Sequence, residues 1–196
     1  MVDGASVWSE QYIPHRICSN RVRRQRGSRP DRTHCRRDIL LISAFRITKE
    51  PNFANAFSGQ GARHWGGRWN SKGTAVIYTA EHRSLAILEV LVHIKGGGGS
   101  AVIGAPFYVY PVSFDAALVE MVQVPGLSAG WNEQPPTTAS QSLGDSWVLA
   151  GKSAVLAVPS AIVVEERNYI LNPHHPRFRE VQIAPPVVCS VDPRLL

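Results

Sequence analysis

The sequence predicts an α+β domain, and three observations carry that prediction. Short runs rich in β-branched and aromatic residues recur at about 39–47, 74–79, 107–112, 154–158, 161–164 and 181–184. Two stretches, about 81–94 and 137–150, have the length and composition of helices. Strands and helices do not alternate regularly, as a parallel βαβ sheet would require.

At 196 residues the chain suits one domain plus an extension. The charge marks the boundary. Residues 1–38 hold nine arginines against four acids, whereas 39–196 hold twelve basic and eleven acidic residues, so the net +6 lies almost wholly in the leader. That leader lacks apolar periodicity and is expected to be largely disordered. Two readings stand for it: an arginine-rich arm for nucleic acid or an acidic partner, or an upstream extension with no role. The near-neutral remainder argues against a basic nucleic-acid groove across the fold.

The ordered domain is expected from Ile39, with Ile39–Ile47 as a strand. Arg46 interrupts its apolar pattern and reads by itself as a snorkelling edge residue. Gly59, Gly61, Gly66, Gly67 and Gly73 then form a glycine-rich loop carrying Arg68, Trp69 and Asn70. Glycines here permit close backbone approach to a ligand. The spacing matches neither the Walker loop nor the dinucleotide fingerprint. Arg68, between Gly67 and Trp69, is expected to be held by aromatic stacking and to grip phosphate with its planar fork. A strand over 74–79 brings Tyr78.

The helix over 81–94 is apolar on nearly every face, which predicts burial on nearly all sides. Glu89 lies inside it, on a stripe with His82, Ala86 and His93. A carboxylate in such surroundings needs a partner. It is either half of an ion pair with an arginine or an acid facing a cleft. His93 reads as a hydrogen-bonded histidine near the core. Lys95 and Gly96 suit a helix end, and Gly96–Ser100 reads as a flexible linker.

Phe107–Val112 is a strand, and 113–136 reads as irregular. Thr137 or Thr138 caps the helix over 137–150. Ser146 lies inside it without a nucleophile elbow around it, so it is a hydroxyl for a phosphate or ribose, or a helix serine bonding its own backbone. Asn168–Pro176 reads as a polar loop whose asparagines brace the pocket or satisfy turns.

Several classes are disfavoured. No apolar run has the length of a membrane span, and no apolar stretch follows Met1 as in a signal peptide. Cys18, Cys35 and Cys189 are scattered, which suggests neither a zinc site nor a disulfide framework. The reducing cytoplasm is the expected compartment.

The motifs in combination resemble a known family. Phe57-Ser58-Gly59-x-Gly61-Ala62, Gly66-Gly67-Arg68-Trp69-Asn70, Tyr78 and Leu85-Ala86-x-Leu88-Glu89-Val90-Leu91-Val92-His93 look like the RES domain. So do Leu143-Gly144-Asp145-Ser146-Trp147, Val158-Pro159-Ser160, Asn168-Tyr169-Ile170-Leu171-Asn172-Pro173-x-His175-Pro176 and Asp192-Pro193-Arg194-Leu195. The likeness runs from about Leu40 to the C-terminus. RES proteins are the toxins of Xre–RES toxin–antitoxin systems. The resemblance implies a core similar to that of ADP-ribosyltransferases, with two small, mostly antiparallel sheets around a cleft. It also implies that NAD⁺ is the substrate, with no separate cofactor or metal. An Xre-family antitoxin is then the expected partner, with nucleic acid contacted only through it.

On this resemblance Phe45-Arg46 matches a pocket-lining arginine. The residue types then suggest roles. Arg46, Tyr78 and Glu89 form the expected catalytic group, and Gly67, Arg68, Asn70 and Ser146 the substrate-binding group. Arg46 and Arg68 would hold the pyrophosphate and any attacking inorganic phosphate. Tyr78 would offer a ring face or a hydroxyl. Glu89 would stabilise the cation that forms when the nicotinamide–ribose bond breaks. The leading expectation is NAD⁺ cleavage with water or phosphate as acceptor. ADP-ribosyl transfer to a protein and a non-catalytic nucleotide- or nucleic-acid-binding module are the alternatives.

Overall fold

A computed structural model describes residues 39–96, 106–190 and 192. The basic leader 1–38 and the glycine-rich segment 97–100 lie outside the described residues. The strands are β1 (Leu41–Thr48), β2 (Ile77–Ala80), β3 (Phe107–Asp115), β4 (Val119–Met121), β5 (Val155–Pro159), β6 (Arg167–Leu171), β7 (Gln182–Ile183) and β8 (Val187–Cys189). The helices are α1 (Phe53–Ala56), α2 (Gln60–Trp65), α3 (Arg83–Gly96) and α4 (Thr138–Ala150).

The strands form one curled sheet in the order β4-β5-β6-β2-β1-β3-β7, with β8 also pairing β3. The β4–β5 pair is parallel and the other pairs are antiparallel. The α+β class and mostly antiparallel pairing follow the sequence expectation. The two expected sheets, however, are joined into one. β1 and β3 pair along their length, from Leu41↔Asp115 to Thr48↔Tyr108. β1 meets β2 through the short Phe45↔Ala80 contact. This seam joins the two halves of the sheet.

β5 shows why both faces must be covered. Val155 and Ala157 point into one apolar cluster, with Ile42, Ala44, Phe57, Tyr110, Phe114 and Tyr169. Leu156 and Val158 point into another, with Trp69, Val76, Trp131, Trp147 and Ile170. The two-residue side-chain period of a strand produces this division. No described helix is long and apolar enough to cross a membrane.

Several expectations are corrected. α3 buries Leu85, Ala86 and Leu91, yet Leu88 is 39% and Val92 48% exposed, because the sheet covers one side of the helix only. His93 is exposed rather than near the core. Residues 161–164 form a turn, not a strand, because Ser160 Oγ accepts from Ile162 N and Val163 N at 3.1 and 3.2 Å and curls the chain. The strand is instead β6, where Asn168–Leu171 had read as a loop. Its asparagine masked a run of Tyr169, Ile170 and Leu171, all buried in the sheet. β4, within the stretch expected to be irregular, spans three residues and is too short to show a period. α4 follows expectation: the Thr137 side chain accepts from Ser140 N at 3.3 Å, and Gly151 ends the helix in the left-handed region at φ 57°.

Candidate active site

The glycine-rich loop is folded around Asn70, which is fully buried. Its Nδ2 donates to the carbonyls of Ala62, Ser71 and Thr74 at 2.9, 3.1 and 3.0 Å. Its Oδ1 accepts from Tyr78 Oη at 2.7 Å, and Tyr78 Oη accepts in turn from Trp69 N at 3.0 Å. Asn70, expected to touch substrate, therefore holds the loop together from inside. Burial pushes the Tyr78 hydroxyl well above the usual phenol range, so it stays a neutral donor. Gly67 is required by contact: a Cβ there would lie 2.5 Å from Tyr78 Oη and 2.9 Å from Asn70 Oδ1.

α4 clamps this loop from outside. Gln141 Nε2 donates to Gly67 O at 3.0 Å. Ser71 donates to Asp145 through its amide at 3.1 Å and its hydroxyl at 2.5 Å. Gly144 lets the helix dock, since a Cβ there would lie 1.8 Å from the Trp69 carbonyl oxygen. Burial alone would raise the Asp145 pKa, but hydrogen bonds from Ser71 and Thr74 together outweigh it and hold the carboxyl below its usual range. Ser146 lies on the exposed stripe of α4 with Ser142, Leu149 and Ala150. One helical step of about 100° turns it off the clamping face.

Arg68 leaves the loop toward a strap formed by residues 131–134. Its Nη1 donates to the carbonyls of Trp131 and Glu133, each at 2.8 Å. Its Nη2 donates to Gln134 Oε1 at 3.1 Å. The expected aromatic support is indirect: Trp69, not the guanidinium, stacks on Trp131, with ring centroids 6.0 Å apart. Burial lowers the Arg68 pKa, and the nearby Glu89 carboxylate and Tyr78 act in the opposite direction.

Arg46 sits on an interior strand, so it is no edge residue. Its Nη1 donates to Tyr78 O at 3.0 Å, and its guanidinium lies 5.8 Å from the Phe57 ring centroid. Its Nε is buried without a hydrogen-bond partner among the described residues. Burial brings its pKa down to about 10, against a smaller raising effect from Tyr110.

Glu89 reaches from α3 to the far side of the seam. Its Oε1 accepts from Ser160 Oγ at 3.0 Å and from Asn168 Nδ2 at 2.5 Å. Both donors are neutral and nearly or wholly buried. The structure thus brings Arg46 to the Tyr78 main chain and Arg68 and Glu89 near the Tyr78 side chain, with Gly67 and Asn70 against its hydroxyl. The serine it adds is Ser160, not Ser146. Ser160 carries no site role in the sequence reading, and Asn168 reads there as a loop asparagine bracing the pocket or satisfying a turn, although each marks the end of a buried apolar strand. A polar side chain at such a strand end was the available signal. A separate hollow of about 430 Å³, lined by β1, β3 and β7 residues such as Ser43, Val112 and Ile183, contains none of these side chains.

Comparison with known proteins bears on this cluster. A family model for the RES domain matches residues 43–192. The chain belongs to the RES domain family. Among relatives of this RES domain is a protein of Sphingobium sp. (strain YBL2) named "Prs ADP-ribosylating toxin". It is 36% identical over 148 residues, covering 73% of this chain and 88% of that protein. A protein of Yersinia enterocolitica named "Toxin Res" is 33% identical over 152 residues, covering 77% of this chain and 97% of that one. The fold is also similar to a chain in the crystal structure of the M. tuberculosis MbcT–MbcA toxin–antitoxin complex. The TM-score is 0.65 at 19% identity, covering 78% of this chain and 86% of that chain. In this RES domain, the family match spans Arg46, Arg68, Tyr78 and Glu89 and both neutral donors to Glu89.

Proposed function

We propose that this protein is a toxin that degrades NAD⁺ by cleaving its nicotinamide–ribose bond, with water or inorganic phosphate as acceptor. One observation carries the reading: Glu89, held at Oε1 by Ser160 and Asn168, lies within electrostatic reach of Arg68 and Tyr78. An anion oriented by neutral hydrogen bonds is preorganised for a cation that exists only during reaction. Two arginines, one on the Tyr78 main chain and one near its side chain, and a fixed carboxylate suit a substrate with a pyrophosphate at one end and a positive leaving group at the other.

In this reading Arg46 and Arg68 hold the pyrophosphate. The unpartnered Nε of Arg46 is a donor that an anion would satisfy. Nicotinamide leaves as a neutral molecule with the electron pair of the broken C–N bond. The ribose becomes oxocarbenium-like, and Glu89 stabilises it across the gap. An oxygen of water or phosphate then forms the new bond at the anomeric carbon. With water the proton passes to solvent and the product is ADP-ribose; with phosphate the product is its 1-phosphate. The neutral Tyr78 hydroxyl and the Asn70 network keep the loop in register while charge develops.

The name of the Sphingobium relative favours a second reading, in which a protein side chain is the acceptor and ADP-ribose is transferred to it. The likeness to a toxin from a toxin–antitoxin complex supports an antitoxin partner for this chain, which we assign to the Xre family on the sequence resemblance. Incubating purified protein with NAD⁺, with and without phosphate, and weighing the products tests all three acceptors. Free ADP-ribose, its phosphate or a labelled protein are the three distinct results. Undiminished NAD⁺ under every condition would overturn the proposal.

A further inference from the structure

The three hydrogen bonds of the Arg68 fork are not alike. Nη1 is held by main-chain carbonyls of Trp131 and Glu133, both at 2.8 Å. Trp131 is 7% exposed and stacked on Trp69, so that part of the strap is fixed by packing. Nη2 meets a different kind of acceptor: the exposed side chain of Gln134, through Oε1, at the longer distance of 3.1 Å. The first pair orients the guanidinium. The last contact is a neutral amide on a flexible, exposed stem, the most readily exchanged of the three.

We infer that Gln134 is a stand-in for substrate phosphate, bonding Arg68 Nη2 until an anion displaces it. This rests on the reading of Arg68 as a phosphate-gripping residue. A phosphate oxygen forms a shorter and stronger bond to a guanidinium than a neutral amide does. Released, the Gln134 side chain regains rotamer freedom and returns its amide to water. The Trp131 and Glu133 carbonyls stay on Nη1 throughout, so the fork keeps its direction while one acceptor is exchanged. Gln134 then competes with the ligand: the protein form ready to bind is the fraction in which the amide has let go. Its removal should therefore tighten binding, the reverse of the usual effect of deleting a site residue. A carboxylate at the same position should compete far more strongly and also repel the incoming anion.

The test is calorimetric titration of the full chain and of Gln134→Ala and Gln134→Glu with inorganic pyrophosphate and, separately, with ADP-ribose. Position 134 is exposed, and thermal melts check that both variants fold. Gln134→Ala is expected to bind both ligands about threefold to tenfold tighter, the scale of one solvent-exposed hydrogen bond. Gln134→Glu is expected to bind at least about tenfold more weakly. Equal or weaker binding by Gln134→Ala would overturn the inference and leave Arg68 as an anion site. Absence of binding of either ligand by all three proteins would overturn the reading of Arg68 itself, and the inference with it.

Discussion

Glu89 on α3 and Asn168 on β6 stand 79 residues apart in the chain and share a hydrogen bond of 2.5 Å. Ser160 donates to the same carboxylate oxygen at 3.0 Å. The carboxylate requires donors, so the Asn168 amide must turn its NH₂ toward it. That leaves Asn168 Oδ1 buried without a hydrogen-bond partner among the described residues. The arrangement favours the orientation of Glu89 over full satisfaction of its support.

Glu89→Gln separates charge from packing. The glutamine carbonyl still accepts from Ser160 and Asn168, so stability should change by less than about 1 kcal/mol. Turnover of NAD⁺ should fall by about 10²–10³, the scale of one preorganised electrostatic partner. Parallel melting curves and initial rates check this. A variant that melts far below wild type yet turns over normally when folded would make Glu89 a structural residue.

Ser160→Ala should behave differently. It removes a donor to Glu89 and also the acceptor for the amides of Ile162 and Val163. Loss of both roles at a fully buried position should cost about 1–3 kcal/mol of stability as well as activity. Denaturant unfolding measures the first and kinetics the second. A wild-type midpoint would mean that the turn holds without the hydroxyl.

Gly144→Ala tests the docking of α4. The new Cβ would meet the Trp69 carbonyl at 1.8 Å, and that obstacle is backbone rather than a side chain that can swing away. We expect destabilisation of about 3 kcal/mol or more, read from a shift in the unfolding midpoint.

Asp145 makes stability depend on pH. Its folded pKa lies below the usual carboxylate range, so the unfolded chain binds the proton more tightly. The stability it contributes is present above the unfolded value of about 3.9 and is lost as pH falls through the folded one. Asp145→Asn should flatten this part of the acid limb while changing its slope little near neutrality. Unfolding measured from pH 6 downward checks it; identical slopes for the two proteins would count against the Ser71 clamp.

Arg68→Lys should raise the KM for NAD⁺ clearly. One ammonium cannot keep both strap carbonyls and also grip a phosphate, as the planar fork is proposed to do. Steady-state kinetics equal to wild type would assign Arg68 to anchoring the strap alone.

Much of this protein was legible without coordinates. The α+β class, the first strand, both long helices and the Thr137 cap follow from local composition and period. These are properties that neighbouring residues impose on each other. Arg46, Arg68 and Glu89 stood out because each interrupts an apolar or glycine-rich run with a group that needs a partner, while the roles expected of Arg46 and Tyr78 followed the family resemblance. What local pattern could not supply was the identity of those partners. Ser160 and Ser146 look alike as letters. Ser160 reaches Glu89 because the paired ends of β5 and β6 lie beside α3, whereas Ser146 faces solvent because of its place on the α4 turn. Asn70 and Asn168 likewise read as loop asparagines until the folded loop buries the first and the sheet the second. Arg68 reads as an anion grip, but only the folded strap reveals that three oxygens already occupy it. Local periodicity is encoded within a few residues, while a hydrogen bond across 63 or 79 positions is decided by sheet order and helix docking.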